Sequence, residues 1–356
     1  MLRAEFMDRI RSAAASKTTL CIQGGGTKNW YGQAPRGEIL DTTSHTGIVD
    51  YDPSELVITA RSGTLLSELQ STLAEQGQML AFEPPAFGTK ATIGGVIASG
   101  LSGPRRATAG AARDFVLGAV LINGRAERLV FGGQVMKNVA GYDVSRLLCG
   151  SMGLLGLLTD VSIKVLPVPR SEITLEFDMA QDHALATMNS WTGKPLPISA
   201  TSWDSHDRPR LLVRLSGSEA ATQAAQQQLG GSTVSPAEAA QHWASLREQS
   251  HAFFKDQPVL WRLSVPATTP ALELGADQLI EWGGAQRWLI GSTCDAIGLR
   301  QKIQQAGGHA TLFRNPDKSI PAFQTLSAPL LKIHQRLKAE FDPAGIFNPG
   351  RLYPEL

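Results

Sequence analysis

Cysteine is scarce in this sequence, and the spacing of the few present excludes several kinds of site. Cys21, Cys149 and Cys294 lie far apart and form no CxxC pair, so we expect neither a zinc nor an iron–sulfur site on this chain. The seven histidines form no HxH or HxxxH pair, and metal binding needs several ligands that converge. The sequence therefore predicts no metal site, and its distant thiols suit a reducing compartment.

An excess of one charge and long hydrophobic runs are also missing. The 33 Lys and Arg against 32 Asp and Glu leave a net charge of +1, which argues against a nucleic-acid-binding surface. No run approaches the roughly 18 apolar residues of a membrane-spanning helix, and the first residues lack the apolar stretch of a signal peptide. We therefore expect a cytoplasmic protein, with association to the inner face of the membrane only through partners.

Glycine, in contrast, is abundant, and its clusters carry the strongest signal in the sequence. The loop Gln23-Gly24-Gly25-Gly26-Thr27-Lys28 follows an apolar strand predicted at 19–22. Successive N–H groups in such a turn can hold an anion, and Lys28 would add a positive charge at its rim. The loop therefore predicts a phosphate or diphosphate ligand.

Other interpretations of this loop compete. The GxxxxGK[ST] pattern of nucleoside-triphosphate loops fails, and the GxGxxG dinucleotide pattern fails at its third glycine, where Asn29 and then Trp30 stand. A glycine-rich turn that binds nothing is the remaining alternative. Further glycine clusters at 92–95, 100–106 and 150–159 weigh against it, because together they suit a long ligand such as a dinucleotide with a bulky planar end.

The predicted elements divide the chain into domains. The first half alternates helix and strand patterns, with elements predicted at 56–60, 64–76, 115–122, 128–131 and 162–166. Pro167 and Pro169 mark a boundary, beyond which the patterns favour an antiparallel sheet with helices on one face. We therefore predict an α+β protein with domains at 1–168 and 169–327 and a C-terminal segment at 328–356.

The order of these motifs resembles that of flavoproteins of the vanillyl-alcohol-oxidase type, the PCMH-type family. That resemblance rests on the strand with its GGGTK loop, on ATIGG at 91–95, and on GSMGLLGLLTD at 150–160. A closer similarity, to the FAD-binding E subunits of bacterial glycolate oxidases, runs nearly end to end. It is carried by GPRR at 103–106, RDFVLG at 113–118, FGGQVMKNVAGYDVSRL at 131–147, GGHATLFR at 307–314 and FDPAGIFNPGRLY at 341–353.

The resemblance implies an FAD-binding domain of two α/β subdomains, an antiparallel-sheet cap, and a last segment that returns to the first domain. In such proteins the glycine loop holds the FAD diphosphate, the next two segments lie along the ribityl chain and flavin, and the 156–158 main chain meets the adenine. The implied cofactor-binding residues are Gln23, Gly24, Gly25, Gly26, Thr27, Lys28, Pro84, Thr92, Gly94, Gly95, Ser99, Gly103, Gly156, Leu157, Leu158 and Asn348.

Two departures from the family pattern shape the remaining expectations. Thr27 stands where many relatives attach FAD covalently through a histidine, so we predict noncovalent FAD. The histidine cluster with which related 2-hydroxy-acid dehydrogenases hold a metal and the substrate carboxylate is missing. A 2-hydroxy acid still needs a cation for its carboxylate and a base for its hydroxyl proton. The candidate catalytic residues are Arg105, Arg106, Lys137, Tyr142 and His309.

We therefore expect a glycolate oxidase subunit that binds FAD, with glycolate oxidised to glyoxylate and two electrons passed to a partner. The resemblance implies a complex with a second FAD subunit and an iron–sulfur subunit, in which this chain would serve as an electron relay or as structural support. The alternatives are a self-sufficient FAD oxidoreductase of another 2-hydroxy acid or a sugar alcohol, a noncatalytic scaffold subunit, and a nicotinamide dehydrogenase.

Overall fold

Two compact units make up the chain in the computed structural model, which describes residues 2–133, 143–291 and 295–356. Unit 1 consists of Met1–Leu101, Ala111–Pro167 and Lys318–Leu356. Unit 2 consists of Ser102–Gly110 and Val168–Asp317. Helices and mainly antiparallel sheets occur in both units, so the predicted α+β class is confirmed.

Helices and strands follow one another along the described part of the chain. Up to Pro167 they are α1 (Leu2–Ser16), β1 (Leu20–Gln23), β2 (Glu38–Asp41), β3 (Ile48–Asp52), β4 (Val57–Arg61), α2 (Leu66–Glu75), β5 (Gln78–Met79), α3 (Ile93–Ser99), α4 (Arg106–Ala109), α5 (Ala112–Phe115), β6 (Val116–Ile122), β7 (Arg128–Gly132), α6 (Val144–Leu148), β8 (Leu157–Lys164) and β9 (Leu166–Pro167). Beyond it they are β10 (Ser171–Asp178), α7 (Gln181–Trp191), β11 (Ile198–Asp204), β12 (Arg210–Gly217), α8 (Glu219–Leu229), β13 (Ser232–Thr233), α9 (Pro236–Arg247), β14 (Leu260–Ser264), β15 (Gln278–Glu281), β16 (Gln286–Ile290), α10 (Ala296–Gln305), β17 (His309–Arg314) and α11 (Ala328–Phe341).

The described part of unit 1 contains a five-stranded sheet and two two-stranded sheets, one of which pairs β5 with β9. The order β3-β4-β8-β6-β7 forms an antiparallel sheet, and β1 pairs in parallel with β2. Helix α1 carries Phe6 and Ile10 one turn apart, and both bury against Leu20 of β1. Phe347 belongs to the same core and forms a parallel bridge with Leu20, so the C-terminal segment lies beside β1.

The Asn123-Gly124 turn and strand β8 show where the predicted boundaries hold and where they shift. Asn123 closes the turn between β6 and β7, because its Oδ1 accepts hydrogen bonds from the N–H groups of Arg125 and Glu127 at 3.0 and 2.9 Å. The strand predicted from Ser162 begins earlier, at Leu157, since Leu157 already pairs with Ile122 of β6. The fourth glycine cluster therefore runs directly into β8.

Unit 2 contains a larger antiparallel sheet, as predicted. In its described part the strand order is β13-β10-β12-β11-β15-β16-β14-β17. Helices α7 and α8 cover one face, where alternate residues of β12, Leu211, Val213 and Leu215, form a buried core. Ser218 caps α8 by accepting a hydrogen bond from the N–H of Ala221 at 3.3 Å.

Residues 318–327 belong to unit 1 and not, as the sequence suggested, to the cap. The ammonium group of Lys318 donates to the carbonyl oxygens of Trp30 and Gly32 at 2.6 and 3.1 Å. The N–H of Ala322 donates to Oε1 of Gln33 at 2.8 Å. No local sequence pattern predicts these contacts, because residues 30–33 lie almost the whole length of the chain away from Lys318 and Ala322.

Candidate functional site

The glycine loop after β1 forms one wall of a cleft in unit 1. A Cβ on Gly25 would lie 1.5 Å from the carbonyl oxygen of Lys90, and one on Gly24 would lie 2.3 Å from Oγ1 of Thr92. Gly26 has a φ of +71°, which residues with a side chain rarely adopt. All three positions therefore require glycine, because the loop packs directly against the segment that precedes α3.

The same loop presents backbone donors to the cleft. Within the described residues, the N–H groups of Gly24, Gly25 and Gly26 donate no hydrogen bond to another protein atom. Backbone donors in folded proteins are nearly always paired, so donors of this kind suit a ligand with acceptor oxygens. The ammonium group of Lys28 donates to the carbonyl oxygen of Ala86 at 3.1 Å, at the edge of this loop.

Helix α3 supplies the second wall. Thr92 caps it, with Oγ1 accepting from the N–H of Gly95 at 3.4 Å, and a Cβ on Gly94 would lie 2.6 Å from Cβ of Ser62. Ser62 is 2% exposed, and its Oγ has no hydrogen-bond partner in the described part of the chain. Because buried hydroxyl groups are normally paired, this one is available to a polar ligand in the cleft.

The loop before β8 forms a third wall of the cleft. Asn348 connects this loop to β1, which precedes the glycine loop of the first wall. Its Oδ1 accepts a hydrogen bond from the N–H of Ile22 at 2.8 Å, and its Nδ2 donates to the carbonyl oxygen of Met152 at 2.6 Å. Gly153, with a φ of +75°, leaves room for this amide, since a Cβ there would lie 2.5 Å from Nδ2. One side chain thus joins β1, the loop before β8 and the C-terminal segment.

The structure brings most of the predicted cofactor-binding residues together in this cleft. They are Gln23, Gly24, Gly25, Gly26, Thr27, Lys28, Thr92, Gly94, Gly95, Ser99, Gly156, Leu158 and Asn348. Leu157 instead faces the core that contains Phe6 and Ile10, and Pro84 is buried outside the cleft lining. Gly103 lies in unit 2, where its carbonyl oxygen accepts a hydrogen bond from Nε1 of Trp282 at 3.1 Å.

Several residues that line the cleft were not predicted from the sequence, above all Ser62, Thr42 and Arg351. Ser62 and Thr42 follow the ends of β4 and β2, as Gly24 follows β1. A polar residue directly after each strand was the signal that could have found them. Arg351 follows Asn348 within FNPGR, and its position two residues beyond the Asn-Pro turn was the corresponding signal.

The candidate catalytic residues that the structure describes lie in unit 2. Arg105 is buried and forms an ion pair with Glu172, whose carboxylate also accepts from Oγ of Ser216 at 2.6 Å. Burial opposes ionisation of Glu172, but the hydrogen bonds from Ser216 and Arg105 outweigh it and lower its pKa. The guanidinium of Arg106 stacks 4.5 Å from the ring centre of Trp282. Both arginines are therefore engaged within unit 2.

The other three candidates divide between β17 and residues outside the description. His309 begins β17, and partial desolvation together with the nearby Arg262 lowers its pKa. Lys137 and Tyr142 lie outside the described residues. Among the residues that are described, no group of three or more His, Cys, Asp and Glu could hold a metal ion. None of the described helices is long and apolar enough to cross a membrane.

Comparisons with known proteins agree with this geometry. Residues 3–132 match the family model of an FAD binding domain, and residues 323–352 match that of the C-terminal domain of FAD linked oxidases. The chain is 47% identical to glycolate oxidase subunit GlcE of Escherichia coli over 99% of its own length and 97% of that protein's. Over 43% of its length it is 30% identical to glycolate oxidase subunit GlcD of Bacillus subtilis, of which it covers 33%.

A solved structure also shares the fold. Alkyldihydroxyacetonephosphate synthase superposes with a TM-score of 0.68 over 97% of this chain and 74% of that one. Because the identity is only 16%, this likeness concerns the fold alone. Apart from residues 102–110, which belong to unit 2, both matched segments lie in unit 1, the unit that contains the cleft.

Proposed function

The chain belongs to the family of FAD-linked oxidases that includes glycolate oxidase subunit GlcE, and from this premise we propose that it is the FAD-binding subunit of a glycolate oxidase. The overall reaction removes two electrons from glycolate, gives glyoxylate, and passes the electrons to a partner. The observation that carries the proposal is the end-to-end similarity to that subunit. The cleft supports it independently, because its glycine amides and its unpaired hydroxyl suit a dinucleotide.

When bound, FAD supplies the two-electron chemistry, while the chain's residues bind and orient it. The N–H groups of Gly24, Gly25 and Gly26 would hold the diphosphate, and the hydroxyl of Ser62 would add a further polar contact. Asn348 contributes by fixing the loop before β8 relative to β1. The fit rests on donors that lack protein partners and on close approaches that only glycine permits.

The FAD is held without a covalent bond. Thr27 stands in the loop at the place of the linking histidine of many relatives, and its hydroxyl donates to the carbonyl oxygen of Ala86 at 2.8 Å. Precipitating the purified yellow protein with acid should release all of the flavin into the supernatant. Flavin that stays with the denatured polypeptide would contradict noncovalent binding.

Oxidation of the substrate itself takes place on a second flavin subunit, and this chain relays electrons or supports the complex. The observation that favours this division is that both candidate arginines already have partners. The guanidinium of Arg105 forms an ion pair with Glu172, and that of Arg106 stacks on Trp282. A substrate carboxylate would have to displace one of these contacts. In this proposal the complex comprises this chain, a second FAD subunit and an iron–sulfur subunit. It lies in the cytoplasm, and any association with the membrane is made by the partner subunits.

An anaerobic titration of the purified chain tests the proposal. The protein should show flavin absorbance, bleach with dithionite, and stay oxidised with glycolate alone until the partner subunits are added. Bleaching by glycolate alone would favour a self-sufficient oxidoreductase, and the same assay with other 2-hydroxy acids or sugar alcohols would identify its substrate. A colourless protein that takes up no added FAD would overturn the proposal in favour of a noncatalytic scaffold.

A further inference from the structure

Two cationic side chains from the C-terminal part of unit 1, Lys318 and Arg351, donate hydrogen bonds to carbonyl oxygens of the loop at residues 28–33. The guanidinium of Arg351 donates to the carbonyl oxygens of Asn29 and Lys28 at 3.0 and 3.3 Å, and to that of Gln33. Lys318 takes two more carbonyl groups of the same loop. In return, the N–H of Gln33 donates to the carbonyl oxygen of Arg351 at 3.1 Å. Successive carbonyl groups of the loop thus point at positive charge.

No carboxylate in the part of the chain that the structure describes balances these two cations. Within the described residues, neither Arg351 nor Lys318 has an Asp, a Glu or the C-terminal carboxylate within 4.0 Å. Arg351 is only 6% exposed, so water screens its charge poorly. Burial lowers its pKa to about 10, and the guanidinium is still positive at pH 7. A buried charge without a counter-ion is costly, which singles out Arg351.

The Cys21 thiol lines the same cleft and is a second ionisable group beside Arg351. Burial raises the pKa of this thiol, against the opposing effect of the Arg351 charge. The thiol is therefore neutral at pH 7 and does not balance the guanidinium. Cys21 and Arg351 both belong to the lining that contains Gly24, Gly25 and Gly26, whose N–H groups lack protein partners. The missing negative charge is accordingly expected from a ligand in this cleft.

On the premise that the cleft holds FAD as proposed above, we infer that Arg351 is a positioning residue for the flavin diphosphate. Its guanidinium fixes the carbonyl side of the loop at residues 28–33, and its uncompensated charge favours the two negative charges of the diphosphate. The effect is electrostatic and acts on the FAD diphosphate, which riboflavin lacks. Riboflavin affinity is therefore expected to be independent of the charge at position 351.

Titration of the flavin-free protein with FAD and with riboflavin, followed by fluorescence quenching, tests this inference. Arg351→Met should weaken FAD binding about 30-fold while riboflavin binding changes less than about 3-fold. Arg351→Lys keeps the charge and should lose less than about 5-fold in FAD affinity. Arg36→Gln, which removes the same charge from an exposed position of unit 1, is the matched control and should leave both affinities unchanged.

The outcomes separate the inference from its premise. If the unaltered protein takes up no FAD, the proposed function itself falls. If it binds FAD but Arg351→Met binds equally well, or loses FAD and riboflavin to the same extent, Arg351 has no charge-specific role. Should Arg351→Met not fold, Arg351→Lys and the salt dependence decide. FAD affinity of the unaltered protein should then fall with added salt, and riboflavin affinity should not.

Discussion

At the scale of single residues, the closest approach in the cleft occurs at Gly25. An added Cβ would lie 1.5 Å from the carbonyl oxygen of Lys90, and backbone cannot yield as a flexible side chain does. Gly25→Ala is therefore expected to lower the free energy of unfolding by about 3 kcal/mol and to abolish FAD uptake. Urea unfolding and flavin titration measure the two effects. In the control Gly133→Ala, the new Cβ meets nothing within 4 Å, and stability should change by less than about 0.5 kcal/mol.

Ser62 and Thr64 are two buried hydroxyl residues near the cleft wall that differ in one respect. Oγ1 of Thr64 accepts from the N–H of Gly47 at 2.9 Å and donates to its carbonyl oxygen at 3.2 Å, whereas Oγ of Ser62 has no partner among the described residues. Thr64→Val should thus cost about 1–2 kcal/mol of stability in the flavin-free protein, and Ser62→Ala should cost none.

FAD affinity should show the opposite order for these two variants. Ser62→Ala removes a hydroxyl group available to the ligand and should weaken FAD binding about tenfold, measured by titrating the flavin-free protein. Thr64→Val should leave the affinity within about 3-fold. The role of Ser62 as a ligand contact is wrong if its alanine variant loses stability but keeps full FAD affinity.

Local chemistry decides which residues the sequence could predict. The glycine loop and Thr92 were accessible, because consecutive glycines after a strand and a capping threonine are patterns within a few neighbouring residues. For Arg351 the sequence shows only its place after the Asn-Pro turn, since its contacts with carbonyl groups of residues 28–33, more than 300 residues earlier in the chain, arise from the fold. The same holds for Ser62, whose hydroxyl is notable only because the folded chain gives it no partner.

At the scale of elements, helix α3 shows how tertiary contacts override local propensity. Gly94 and Gly95 disfavour a helix by about 1 kcal/mol each relative to alanine, and in the sequence the segment is a glycine cluster for which no helix is predicted. The helix forms because Thr92 caps its start and Gly100, with a φ of +63°, ends it. Gly94 is also required for its contact with Ser62. Cap residues were therefore present in the sequence, but only the packing explains the glycines.

Helix α9 of unit 2 carries a buried histidine that makes stability depend on pH. His242 lies 2.8 Å from Oγ of Ser202 on β11. Desolvation, with His251, Arg210 and Arg214 nearby, lowers its pKa to about 3. Between about pH 6.5 and pH 3 the unfolded chain therefore binds a proton at this residue that the folded chain does not, and acidification destabilises the fold.

The expected slope of this effect is about 1.4 kcal/mol per pH unit, lost as the pH falls through that window. Urea unfolding at several pH values measures it. His242→Gln should make the dependence shallower by about that amount. His183→Gln removes an exposed imidazole on α7 and serves as the control, with an unchanged slope. Equal slopes in the unaltered protein and His242→Gln would show that His242 is not the responsible group.

At the scale of the whole molecule, the cleft depends on segments that are far apart in the sequence. Residues 23–29, 92–99, 152–158 and 348–351 all contribute to its lining. The boundary near Pro167 could be predicted from composition, because prolines end the preceding strand. The return of residues 328–356 to unit 1 could be expected only from the family resemblance, and that of residues 318–327 was not expected, since the contacts responsible join the two ends of the chain.

Asn348 tests whether this return is needed for the cofactor. Asn348→Asp keeps the acceptor for Ile22 but loses the donor to Met152, and it places a negative charge in the cleft whose amides we propose to hold the diphosphate. At an FAD concentration 100 times its dissociation constant, FAD should stabilise the unaltered protein by about 2.7 kcal/mol. In Asn348→Asp this increment should vanish, because both the loop geometry and the charge oppose binding.

The matched control for this variant is Asn315→Asp, which changes a buried amide in unit 2 in the same way. It should lower the stability of the flavin-free protein and keep the full FAD increment, since the side-chain amide of Asn315 forms its hydrogen bonds with Asp317 of its own turn. Thermal unfolding with and without FAD distinguishes the two. If Asn348→Asp keeps the increment, the C-terminal segment supports the fold of unit 1 without shaping its cofactor site.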